Sequence, residues 1–131
     1  MENKICLDTD FLINFLRNGK KEAEFVKENE LKNNLATTYI NAFELYYGAY
    51  KSLNKQENIK HLALLLARLE LLNLSEESVK KAGEILAALE KEGKAIEFRD
   101  ILIGTIALVN NFSIKTNNIK HFNRIKELKV N

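Results

Sequence analysis

Residues 5–16 read ICLDTDFLINFL, an apolar run that ends in two aspartates one residue apart and passes straight into an apolar helical pattern. Lys4 to Leu7 lacks 3.6-residue periodicity and stops at Asp8, which suits a buried strand of a parallel sheet. Phe11, Leu12, Phe15 and Leu16 then recur at helical spacing, with Asp8, Thr9 or Asp10 as the N-cap and Asn18-Gly19 as the stop. The chain holds three Asp against fifteen Glu, so two of its three aspartates stand at one probable strand end. That placement asks for a chemical reason as well as a structural one.

Working outward, Lys21 to Asn29 predicts a second helix, and Leu35 to Thr38 is β-prone. Ile40 to Leu53 predicts a strong helix with two apolar stripes: Ile40, Phe43, Tyr47 and Tyr50, which Glu44 shares, and Ala42, Leu45, Tyr46 and Ala49. A leucine-rich helix over Asn58 to Leu69 and a strand over Glu70 to Leu74 precede Ser75, which caps a helix that runs to Glu92 and stops at Gly93. Arg99 or Asp100 opens ILIGTIALV, hydrophobic all round and so a buried central helix. Phe112 to Thr116 reads as another strand, Asn117-Asn118 as a turn, and Leu128 to Val130 as a closing edge strand. Strands separated by helices argue for an α/β fold with a mostly parallel sheet of four or five strands.

A length of 131 residues fits one domain, residues 1–131, with a substantial core. Hydrophobic content of 46% and charged content of 29% exclude a disordered chain. The net charge is only +2, so any contact with nucleic acid has to come from local clustering rather than an overall basic field. Cys6, the single cysteine, lies in an apolar run and reads as a buried small hydrophobe in a reducing compartment. The N-terminus reaches two aspartates too early for a signal-peptide core, and no apolar run is long enough for a membrane span, so a cytoplasmic location is expected.

In open α/β sheets ligands gather at the carboxyl ends of strands, where Asp8 and Thr116 both lie. Glu44, on an apolar stripe beside Ile40, Phe43 and Tyr47, needs something cationic to face it. Asp100 lies in the first turn of a helix too apolar to be exposed, and Gly104 and Ala107 leave room for close approach along its face. Asp8, Asp10, Glu44 and Asp100 therefore have reason to be partly buried with few bases to pair with them. A hard divalent cation, Mg²⁺ or Mn²⁺, supplies the counter-charge and suits phosphoryl chemistry. Each residue also has a plainer reading: Asp8, Asp10 or Asp100 as a helix cap, Glu44 as a surface residue, Thr116 and Asn118 as strand-end and turn residues, and Glu97 as a solvated first-turn carboxylate within reach of a metal through water.

Four segments in order, LDTDFLINFL, NAFELYYGAY, GKAIEFRDILIGTIAL and TNNIKHF, give the chain a likeness to a family. It resembles the PIN-domain nucleases, most closely the VapC-type toxins of prokaryotic toxin–antitoxin pairs, over nearly its whole length. The resemblance implies an α/β/α sandwich and a Mg²⁺- or Mn²⁺-dependent endoribonuclease leaving 5′-phosphate and 3′-hydroxyl ends. It assigns Asp8, Glu44 and Asp100 to the metal-binding acidic positions, Asp10 and Thr116 to supporting ones, and Asn118 to ordering the loop beneath the site. It also implies a homodimer neutralised by a small antitoxin.

His121 stands where the family often has a fourth acid before Phe122, which puts a second metal site in question; a non-ligand role is expected, since Mg²⁺ prefers oxygen. Lys115, Lys120 and Arg124, with Lys126 and Lys129, are candidates to guide an RNA backbone, or equally to protect an edge strand. His61 reads as a surface or boundary residue. The tyrosines Tyr46, Tyr47 and Tyr50 read as core or interface packing rather than stacking platforms for bases. Two other functions compete with the nuclease. One is a catalytically weak module of the same kind that binds RNA or a partner, suggested by the missing fourth acid. The other takes LDTDFL as the strand-end motif of haloacid-dehalogenase-like phosphatases, against which stands the lack of any aspartate after Asp100.

Overall fold

In a computed structural model, which describes residues 3–131, four strands form one sheet: β1 (Lys4–Leu7), β2 (Asn34–Thr38), β3 (Glu70–Leu72) and β4 (Ser113–Lys115). All neighbours run parallel in the order β3-β2-β1-β4. β1 is therefore central, which explains why its three apolar residues are buried on both faces of the sheet. Among the described residues six helices connect the strands, α1 (Thr9–Leu16), α2 (Lys20–Asn29), α3 (Tyr39–Lys51), α4 (Lys55–Leu66), α5 (Glu76–Lys91) and α6 (Phe98–Val109), and α7 (Ile119–Phe122) follows β4.

Alternation along the strands divides the interior into two cores and makes the α/β/α sandwich. Ile5, Leu7 and Leu35 face one way and pack with Phe11, Leu12, Leu45, Leu62 and Leu65 of α1, α3 and α4. Cys6, Ala36 and Ile114 face the other way against Ile101, Ile103 and Ile106 of α6 and the C-terminal Phe122, Ile125 and Leu128. Cys6 is buried as expected, and its burial pushes the thiol pKa up. Gly104 is a close-approach position: a Cβ there would lie 2.5 Å from Ile125 Cδ1, so a larger residue would have to push that side-chain tip aside for the C-terminal segment to pack on α6. Gly93 adopts φ +70°, the left-handed conformation that ends α5.

Several sequence expectations shift. Leu128 to Val130 does not form a strand; a single parallel bridge joins Ile114 to Val130, so the sheet has four strands. α6 begins at Phe98, with Glu97 at the N-cap, two residues before Asp100. α4 begins at Lys55 rather than Asn58 and ends at Leu66. The stripe of Phe43, Tyr47 and Tyr50 on α3 faces outward, each ring more than half exposed, while Ala42, Leu45 and Ala49 turn inward. Small residues on that side let α3 lie close to α4. No helix among the described residues is long and apolar enough to cross a membrane.

Candidate active site

Asp8 follows the last residue of β1 and caps α1, its Oδ1 accepting from the Thr9 amide at 2.9 Å. The same oxygen accepts from Asn41 Nδ2 at 3.0 Å, and Oδ2 accepts from Thr116 Oγ1 at 2.7 Å. Thr116 follows β4, which pairs in parallel with β1, so both residues emerge at one sheet edge, as the strand pattern predicts. Asp8 is only 6% exposed, yet it faces further negative charge. Burial pushes its carboxyl pKa up to about 6; hydrogen bonds from Thr116 and Thr9 hold it down, while Asp10 and Asp100 push it further up.

Asp10 is not the cap. It lies within the first turn of α1, where Oδ1 accepts from the Phe11 amide at 2.6 Å and Oδ2 from the Asn117 amide at 3.0 Å. Its carboxylate thus ties the loop after β4 to the start of α1. Asn118 completes that loop: its amide donates to Thr116 Oγ1 at 2.9 Å and its side chain reaches Asp100 Oδ2 at 3.4 Å.

Glu44 and Asp100 approach from the helices. Glu44 Oε1 accepts from Thr9 Oγ1 at 2.8 Å, and its other oxygen lies 3.5 Å from Arg99 Nη1, the cation that a carboxylate on this stripe requires. Arg99 also donates from Nε to Glu97 Oε1 at 2.8 Å. Asp100 is the third residue of α6 and is half-buried. Its pKa is raised first by burial, then by the negative charge of Glu97 and Glu44, against a smaller lowering by His121 and Arg99. Four acids from three distant segments therefore share one cleft, where burial and neighbouring negative charge push the Asp8 and Asp100 carboxyls up. Glu97 is exposed and engaged with Arg99, and His121 is an exposed residue of α7 near Asp100.

Two of the basic candidates have partners of their own. Lys115 Nζ lies over the Phe25 ring, 5.1 Å from its centroid. Arg124 is spent on the carbonyls of Ala95 and Lys94, at 2.9 and 3.3 Å. Lys120 is exposed on α7.

Three participants escaped the sequence reading. Asn41 is fully buried and bridges Asp8 to Thr9 through Nδ2 while its Oδ1 accepts from the Thr38 amide and hydroxyl. Its signal was the Thr38-Tyr39-Ile40-Asn41 spacing, a capping box at the start of α3 with a polar residue on the inward side. Thr9, read only as a possible cap, links Asp8 to Glu44, and Arg99, read only as a helix start, pairs Glu44.

The donor set consists of carboxylate oxygens with hydroxyl and amide groups behind them, which matches a hard divalent cation rather than zinc or copper. Asp10 and Asp100 raise the Asp8 pKa, and Glu97 and Glu44 raise that of Asp100, so positive charge placed in the cleft is favourable. Among the described residues no three carboxylate, imidazole or thiolate side chains close into a ready ligand cage. That openness suits Mg²⁺ or Mn²⁺, which keep several waters and take one or two carboxylates directly.

Known proteins carry the same plan. Ribonuclease VapC2 of Rickettsia felis is 38% identical over 96 residues, covering 73% of this chain and 72% of that protein. Ribonuclease VapC1 of Haemophilus influenzae is 32% identical over 123 residues, covering 93% and 92%. A crystal structure of VapBC2 from Rickettsia felis, bound to a DNA fragment from its promoter, superposes with a TM-score of 0.91 at 30% identity, covering 97% of this chain and 96% of that one. The PIN domain family model matches residues 5–128, a span that contains every acid of the cleft, and the chain belongs to the PIN domain family.

Proposed function

We propose that this protein is a divalent-metal-dependent endoribonuclease and the toxin of a toxin–antitoxin pair. The observation that carries the proposal is the convergence of Asp8, Glu44 and Asp100, from a strand end and two helices, into one cleft where, among the described residues, only Arg99 and His121 offset their charge. Relatives named VapC ribonucleases support the reaction, and the VapBC complex supports a small antitoxin partner.

Asp8, Glu44 and Asp100 would hold Mg²⁺ or Mn²⁺. When bound, such an ion lowers the pKa of an attacking water and neutralises charge that develops on the scissile phosphate. Asn41 and Thr116 fix the Asp8 carboxylate so that both its oxygens are oriented before any ligand arrives. Thr9 does the same for Glu44. Arg99 pairs Glu44 and Glu97 and so offsets part of the repulsion in the cleft. Asn118, anchored on Thr116, steadies Asp100 from the opposite wall. His121, exposed and near Asp100, is placed to meet an RNA phosphate rather than to ligate the ion.

The exposed Phe43, Tyr47 and Tyr50 stripe on α3 supports a homodimer that covers it, since a contiguous aromatic face on a small domain marks an interaction surface. An RNA-directed toxin acts in the cytoplasm, and the lack of any membrane-length helix among the described residues is consistent with that location.

The test is cleavage of RNA by the purified protein with Mn²⁺ or Mg²⁺ and with EDTA, beside Asp8→Asn and Asp100→Asn. Metal-dependent cleavage lost in both variants is expected. Cleavage that persists in them belongs to a contaminant, and tight RNA binding without cleavage or metal requirement would favour the binding-only reading. Sedimentation of the protein alone and with a co-expressed upstream gene product checks the dimer and the antitoxin.

A further inference from the structure

Glu44 belongs to two spaces. One is the acidic cleft; the other is a groove of about 270 Å³ between α1, α3 and α4, whose polar edge carries Arg17, Asn58 and His61 over a floor of Leu16, Leu45 and Leu62. Gly48 borders the groove and has nothing within 4 Å of where a Cβ would stand, so this wall of α3 is open. The volume lies just below the range for drug-sized ligands and suits a smaller planar group.

The arginines of the chain differ in one respect. Arg68 is paired with Glu30, Arg99 with Glu97 and Glu44, and Arg124 with backbone carbonyls. The side chain of Arg17, just past the end of α1, has no hydrogen-bonding or ionic partner among the described residues. Its five N–H donors are free beside a groove that contains no acid other than Glu44. Asn58 donates to Ser52 Oγ through Nδ2 at 2.8 Å, which leaves its amide oxygen free to accept, and His61 adds an exposed ring.

We infer that this groove is the substrate's flanking-nucleotide site: one unpaired nucleobase next to the scissile phosphate enters between α1, α3 and α4, and Arg17 binds the adjoining phosphate. The inference rests on the ribonuclease reading of the acidic cleft. RNA is recognised mainly through unstacked bases set against apolar and aromatic surfaces, with arginine on the backbone, and the groove offers both elements beside the proposed reaction centre. An RNA strand would thus leave the cleft along α1, away from the C-terminal lysines. Asn58 Oδ1 makes a base with an exocyclic amine the preferred occupant.

The experiment measures anisotropy of a labelled single-stranded RNA in EDTA, and cleavage kinetics in Mn²⁺, for the wild type, Arg17→Ala, Arg17→Lys, Gly48→Leu and, as a remote control, Lys80→Ala. Arg17→Ala should weaken binding about tenfold and reduce the slope of log affinity on log salt by about 0.7, one phosphate contact on a single strand. Arg17→Lys should keep the slope, and the kinetic loss should fall on KM more than on kcat. An abasic site at the flanking position should weaken wild-type binding about tenfold or more yet leave Gly48→Leu, its groove already filled, insensitive. Lys80→Ala should match the wild type. Binding and cleavage unchanged in Arg17→Ala and Gly48→Leu would overturn the inference while the ribonuclease stands. So would variants that lose only a co-expressed partner protein, since the groove would then receive a protein segment. A wild type that neither binds nor cleaves RNA would remove the ribonuclease reading and this inference together.

Discussion

The two walls of the acidic cleft are built differently. At the sheet edge Asp8 is buried and held by Thr9, Asn41 and Thr116, with both carboxylate oxygens satisfied. On the helix side Glu44 and Asp100 are half-buried with fewer polar contacts: Glu44 accepts one short bond, from Thr9 at 2.8 Å, and the others are long, Arg99 at 3.5 Å and Asn118 at 3.4 Å. The sheet-edge wall is pre-organised and the helix wall is adjustable. Such a division lets one carboxylate fix position while two others adapt to a cation and to the phosphate that follows it.

The contrast makes its largest prediction for catalysis. Asp8→Asn and Asp100→Asn should each lower metal-dependent cleavage on the order of 10³-fold, since each removes several kcal/mol of charge stabilisation at about 1.36 kcal/mol per tenfold. A rate assay at saturating Mn²⁺ checks it.

Stability should separate the walls next. The Asp8 carboxyl pKa rises from 3.8 to about 6 on folding, so its charged form opposes the native state at neutral pH. That cost is absent below about pH 4, where the carboxyl is protonated both folded and unfolded, and grows as pH rises through 6. Asp8→Asn should therefore stabilise the metal-free protein by about 2–3 kcal/mol at pH 7. The advantage should shrink as pH falls through 6 and vanish near 4, as read from urea denaturation of both proteins. Asn still caps α1, and its amide can donate to Thr116 Oγ1. A constant difference across that range would contradict the burial of an uncompensated charge.

Supporting groups on the sheet-edge wall should matter less. Asn41→Ala and Thr116→Val should reduce Mn²⁺ affinity or cleavage by about 10–100-fold, as partners of ligating carboxylates do. Calorimetric titration with Mn²⁺ reports the affinity directly.

The smallest effect is expected on the helix wall. Arg99 is a partly exposed counter-ion for Glu44, so its pairing is weak. Arg99→Gln should tighten Mn²⁺ binding a few-fold in the absence of RNA, because the protein's own cation no longer competes. Weaker binding would make Arg99 part of the site's architecture rather than a placeholder.

The same contrast explains what the sequence disclosed. Asp8 was legible because an acid at the end of an apolar strand has few structural excuses, and Asp100 because it opens a helix too apolar to be exposed. Glu44 was found through a helical stripe that in fact faces outward; it remains in the cleft because it lies at the border between the exposed and buried sides of α3. Hydropathy counts Phe43, Tyr47 and Tyr50 as core, whereas close packing of α3 demanded Ala42 and Ala49 there. Asn41 escaped because a polar residue among apolar ones gains meaning only once its distant partner, Asp8, is known. α7, at four residues, is too short to show any period. The Val130 bridge carries the edge position that a full strand was expected to fill.

The hydrogen bond between Asp8 and Thr116 spans 108 residues of chain. At roughly 5–20 residues per second, a ribosome needs on the order of ten seconds to deliver the second partner after the first. Until then β1 lacks its β4 neighbour, and the first acid has no hydroxyl to orient it. The fold thereby couples a fully oriented Asp8 to near-completion of the chain: a nascent chain that has not reached β4 carries Asp8 and Glu44 without the Thr116 hydroxyl that completes this wall of the cleft.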